Sequence, residues 1–102
     1  MSMLHTVNKS PFQTNTLQSC LRHASKGDVV LLIEDGVLGA LKGTTVSAEI
    51  WSRRVDIKFC VLGPDLDARG LAKGRLIDGI AVVDYGGFVD LVAEHKSTQA
   101  WL

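Results

Sequence analysis

The sequence predicts an α/β fold: a single compact domain with a mostly parallel sheet of four to five strands and helices on both faces. Two observations carry this reading. Apolar runs of strand length recur at residues 29–33, 57–62 and 80–83, separated by helical or turn-like stretches. Strands alternating with helices build parallel sheets through right-handed crossovers. The run at 29–33 is also continuously apolar rather than alternating with polar residues, which marks a strand covered on both faces.

In chain order, Leu4, Thr6 and Val7 predict a short first strand. Ser10-Pro11-Phe12-Gln13 then reads as a helix start. Serine suits the N-cap, proline the first helical position, and Gln13 the third place of a capping box. That helix is expected to run to about Lys26 and stop at Gly27, with Leu17, Leu21 and Ala24 as its buried stripe. Residues 29–33 form the second strand, turned by Glu34-Asp35-Gly36. Residues 37–41 predict a short surface helix closed by Gly43, and residues 47–54 another. The third strand, 57–62, is halted by Gly63-Pro64, and 65–69 makes a helical turn before Gly70. Residues 80–83 are the fourth strand, 85–95 a helix despite Gly86 and Gly87, and 98–101 a last, edge strand.

The 102 residues suffice for one domain, 1–102. Hydrophobic residues make up 46 % of them. So small a body keeps a large share of its surface wet, so part of this apolar surface is expected in a subunit interface. Lysine plus arginine equal aspartate plus glutamate at 11 each, for a formal charge of zero. Nothing steers the chain toward phosphate backbones or acidic lipid, and no direct nucleic-acid or membrane partner is expected. No apolar run approaches the roughly 20 residues of a membrane span, and no signal core follows the first residues, so a cytoplasmic protein is expected. Cys20 and Cys60 form neither a CxxC pair nor a zinc-like spacing, and in a reducing compartment both are expected to be thiols.

Cys20 is the candidate site residue. It lies late in the first predicted helix, at the border of the buried stripe. Arg22 and His23 are close in sequence, and His23 at i+3 can reach the same face. A positive charge there would favour the reactive thiolate. The alternative is a small buried cysteine packed between helix and sheet. Cys60, inside a strand, reads as core. Cys20 and His23 are too few ligands for a metal, and His5 and His95 supply no spaced partner, so no metal is expected. Lys42-Gly43-Thr44 resembles a phosphate loop, but there lysine follows glycine, whereas here it precedes it. Asp65, Asp67 and Arg69 sit at a strand end, where α/β sheets bind ligands. The simpler reading is a capping Asp65 paired with Arg69 at i+4.

Several segments together resemble the DsrH/TusB family of sulfur-relay proteins. They are Leu4-His5-Thr6-Val7 with Lys9-Ser10-Pro11, Glu34-Asp35-Gly36-Val37, Leu62-Gly63-Pro64-Asp65-Leu66 with Ala68-Arg69-Gly70, Val83-Asp84-Tyr85 with Phe88-Val89, and Gln99-Ala100-Trp101-Leu102. Cys20 makes the chain similar to the DsrH subunit of the DsrEFH complex in particular, and so points toward sulfur oxidation. The resemblance implies a Rossmann-like fold and a hetero-hexamer with homologous DsrE/TusD-type and DsrF/TusC-type subunits, two copies of each. It also implies passage of persulfide sulfur between proteins, toward a downstream acceptor, in sulfur oxidation or in 2-thiolation of the tRNA wobble uridine. A thiolate takes the outer sulfur of a donor persulfide and leaves a donor thiolate behind. No cofactor is needed. The principal sulfur-accepting cysteine is implied on the DsrE/TusD-type partner, and Cys20 is left as a secondary thiol on a subunit not active alone. Two readings of other classes remain: a stand-alone small-molecule or nucleotide-binding module, and a homo-oligomeric structural protein.

Overall fold

The computed structural model describes residues 2–102. Five parallel strands form one sheet in the order β4-β3-β2-β1-β5. They are β1 Leu4–Val7, β2 Val29–Leu32, β3 Lys58–Leu62, β4 Ala81–Val83 and β5 Thr98–Trp101. Between them lie helices α1 Thr16–His23, α2 Ser47–Arg53, α3 Gly63–Ala68 and α4 Tyr85–Glu94, with 3-10 turns at Glu34–Ala40 and Lys73–Arg75.

The strand order explains the layers. From β1 to β4 the chain steps across the sheet in one direction, and right-handed crossovers put every connection on one face. There Leu17, Cys20, Leu21, Val37, Ala40, Ile50 and Leu66 pack on Val7, Val30, Leu32, Phe59 and Val61. The step from β4 to β5 runs back the other way, so α4 crosses the opposite face. Its Leu91, with Phe88, packs on Leu4, Val29, Leu31 and Cys60. All four residues of β1 and of β2 are buried; the unbroken apolar pattern of β2 requires this, whereas β1 buries the polar His5 and Thr6 as well.

The first helix is shorter than its start signals predict. Ser10 does cap, but it caps a single turn: its Oγ accepts from Phe12 N at 3.2 Å, and its carbonyl from Gln13 N and Thr14 N. Thr14-Asn15-Thr16 then interrupts, because threonine and asparagine side chains offer the backbone local alternatives to helix. Thr14 Oγ1 accepts from Thr16 N at 3.4 Å, and the helix starts there, one residue before the first buried leucine, Leu17. The helix ends at His23 rather than near Lys26. Arg53 on α2 donates to the carbonyls of Leu21 and Ala24 at 2.8 and 3.3 Å, satisfying the helix end from across the fold.

The 3-10 turn after β2 is not a surface element. Val37 and Ala40 are fully buried, because Gly36 brings the turn hard against the end of β1. Helix α4 begins at Tyr85 because Asp84 Oδ1 accepts from Gly87 N at 2.7 Å. Gly87 is tolerated there since a side chain would crowd Val83. No helix among the described residues is long and apolar enough to cross a membrane.

A Cβ at position 36 would run into the Val7 carbonyl oxygen, a backbone atom that cannot give way. Gly36→Ala is therefore expected to destabilise by about 2–3 kcal/mol. Gly74→Ala, which meets nothing, should stay within about 0.5 kcal/mol of the parent. Urea unfolding of both variants checks this.

Candidate functional site

Cys20 sits inside the buried stripe rather than at its border. It has no exposed surface and packs in the larger core cluster. Burial pushes its thiol up to about 12, the nearby Asp28 charge adds to the rise, and the Arg53 guanidinium opposes it. At neutral pH this is a protonated thiol without a path to solvent. The neighbours that the sequence offers as activators do not approach it. Arg22 is exposed and donates to Ser19 Oγ. His23 is exposed, with Nδ1 2.8 Å from the Ser19 carbonyl and its ring against Trp101. Cys60 lies in the opposite core cluster, and its thiol is also raised by burial. Both cysteines are free thiols.

The arrangement around Cys20 is polar in a way that sequence spacing misses. Asp28, 4 % exposed at the approach to β2, accepts from Ser25 N, Met3 N and His5 Nε2, all at 2.9 Å. Burial pushes its carboxyl up, but the bonds from Ser25, His5 and Met3 and attraction to His5 outweigh it. The group is held below the usual carboxylate range. His5, 2 % exposed on β1, takes Trp101 Nε1–H on its other nitrogen at 3.0 Å. The available sequence signals were a histidine within an apolar strand and a lone aspartate before another. The partner is Trp101, 96 positions away.

At the carboxyl ends of the strands, the acid–base cluster is structural, with its pairs exchanged. Arg69 bonds Asp35 at 2.8 and 3.0 Å rather than the Asp65 carboxylate. Asp65 Oδ2 instead accepts from Glu34 N at 2.6 Å. Together they clamp the 3-10 turn to α3 and hold Glu34 at φ 50°, a left-handed conformation that disfavours a side chain. Lys42-Gly43-Thr44 forms an outer loop, with Lys42 N donating to Arg75 O and Leu41 bridged to Leu76. Among the described residues, no group of three or more His, Cys, Asp and Glu side chains could hold a metal ion.

The outer surface carries a second feature. On α4, Tyr85, Val89 and Val92 recur at i, i+4 and i+7 and stand 61, 66 and 43 % exposed. Leu91 is buried beneath them, so the apolar arc of this helix is wider than the sheet covers.

Comparison with known proteins places this geometry. The sequence model described as DsrH like protein matches residues 9–98. Protein TusB of Escherichia coli O1:K1 is 41 % identical over 99 residues, covering 97 % of this chain and all of that one. The chain belongs to the DsrH/TusB family. Protein TusB of Pectobacterium parmentieri is 36 % identical over the same coverage. Among solved structures, the ychN protein from E. coli shares the fold, with a TM-score of 0.86, 14 % identity and 98 % of each chain covered. So does a protein of unknown function from Methanobacterium thermoautotrophicum, at TM-score 0.75 and 18 % identity, over 97 % of this chain and 96 % of that one.

Two outcomes are expected. Alkylation of Cys20 at neutral pH should be slow, should keep rising with pH past the ordinary thiol range of about 8.5, and should accelerate sharply in denaturant. Iodoacetamide labelling followed by peptide mass mapping reads this. A carboxyl lowered in the folded state contributes stability above the ordinary carboxylate value, and loses it as pH falls through the folded one. Asp28→Asn should therefore cost about 1–3 kcal/mol near neutrality. That deficit should shrink below about pH 4, as urea titrations at several pH values would show.

Proposed function

We propose that this chain is a scaffolding subunit of a cytoplasmic persulfide relay, not active alone. In this reading it holds DsrE/TusD-type and DsrF/TusC-type homologues in a hetero-hexamer that hands sulfur to a downstream acceptor. Membership of the DsrH/TusB family indicates the sulfur-relay role. The observation that carries the scaffolding role is the exposed Tyr85–Val89–Val92 stripe on α4, a contiguous apolar surface of the kind that marks a protein interface. Partners built on the same fold are the occupants that the family offers for it.

The reading takes 2-thiolation of the tRNA wobble uridine as the pathway. Cys20 by itself pointed toward sulfur oxidation. The curated relatives described above, similar over nearly the whole chain, bear the name TusB. The burial of Cys20 also favours a packing role for this thiol over carriage of sulfur. To receive sulfur, a thiolate must reach the outer atom of a donor persulfide, and Cys20 would need α1 to lift from the sheet before it could do so.

Co-expression with the two homologues, followed by native mass measurement, tests the assembly. The parent chain should be found in a hetero-hexamer, and Val89→Asp should be lost from it while keeping its own unfolding midpoint. Cys20→Ser should still assemble. Exposure of the complex to a persulfide donor should add sulfur to a partner cysteine and not to Cys20. Added sulfur on Cys20 would overturn the scaffold-only reading, and a parent chain that ignores both homologues would overturn the assembly.

A further inference from the structure

The hydrogen bonds around His5 leave its protons no freedom. An indole N–H has no lone pair and can only donate. Trp101 Nε1 lies 3.0 Å from His5 Nδ1, so Nδ1 is bare. The one proton of the neutral ring is therefore on Nε2, donated to Asp28 Oδ2 at 2.9 Å. Three side chains thus form a buried line from β5 through β1 to the turn before β2. That line also ties strand β5 to the sheet by a side chain. β5 is an edge strand, paired only to β1, and Thr98, Gln99 and Ala100 are exposed. Trp101 is its single part-buried residue.

We infer that His5 is a proton-operated latch on β5. A proton from solvent binds the Nδ1 lone pair that otherwise accepts the indole N–H. Nε2–H remains on Asp28, and the neutral bond there becomes an ion pair. One hydrogen bond is lost, one is charged, and two N–H groups now face each other, so Trp101 must leave. The charged groups around the line are the Asp28 carboxylate, bonded to His5 itself, and the Arg53 guanidinium of α2, fixed on the α1 carbonyls. Cys20 of α1 is neutral. His23 of α1 lies with its ring centroid 5.3 Å from that of Trp101. Its own protonation would place a cation beside the indole rather than break the latch. Releasing Trp101 frees β5 and bares the backbone edge of β1, a template on which another strand can pair.

The test is an NMR titration of the full chain from about pH 8 to about pH 5.5, across the range in which imidazoles commonly change charge. It follows the His5 ring, the Trp101 indole and the exchange protection of the Gln99 and Trp101 amides, the two that the parallel register directs at β1. Trp51→Phe identifies the indole signal. Protection in β5 is expected to fall about tenfold or more with the same midpoint as His5, while β2 stays protected. Trp101→Phe removes the donor that must be expelled, so the His5 midpoint should move upward. His23→Asn should leave the coupling in place. A His5 midpoint unchanged by Trp101→Phe, or β5 protection flat through the His5 titration, would overturn the latch.

Discussion

The handedness of parallel crossovers sets most of what this protein presents to the outside. Once β1 to β4 step one way across the sheet, their helices must all lie on one face, and the return to β5 must lie on the other. Three helices and a 3-10 turn bury one side. Only α4 is available for the second. A single ten-residue helix cannot use the whole of its apolar arc on the sheet beneath, so Tyr85, Val89 and Val92 stay outside. The excess of apolar residues in so short a chain has its place here, on the side of the sheet that one helix covers alone.

The same topology places β5 beside β1 and so makes the end of the chain part of its beginning. A strand of four residues at an edge is weakly held by its ladder alone. The indole of Trp101 fastens it to His5, and His5 is fastened in turn to a carboxylate with three donors. A buried histidine and aspartate would be costly if either were left unpaired. Here each partner satisfies the other, and Arg53 closes the neighbouring helix end.

Cys20 shows how one position can be chemically suggestive in sequence and quiet in the fold. A cysteine near basic residues on a helix reads as an activated thiol. In the structure, Arg22 and His23 turn to the surface, and the cation that does approach comes from α2. Burial and Asp28 outweigh it. The basic neighbours in sequence are therefore no guide to the state of the thiol. What governs it is the depth of the helix on the sheet, which depends on side chains from distant elements of the same core.

Local signals alone determined the α/β class, the order of strands and helices, the covered central strands and the edge position of residues 98–101, because periodicity and turn residues act over a few neighbours; the family was legible only as a resemblance of short segments in their order along the chain. Local signals misplaced the first helix. A cap residue such as Ser10 is equally content to close one turn, and the choice between turn and helix waits on where burial begins, at Leu17. They also made residues 37–41 a surface helix, since nothing nearby records that Gly36 lets the chain press against β1. Tertiary structure alone decided the pairings of Arg69 with Asp35, Arg53 with the end of α1, and His5 with Asp28 and Trp101. Those bonds join residues between 23 and 96 positions apart. Their geometry exists only after the sheet has brought the strands into register.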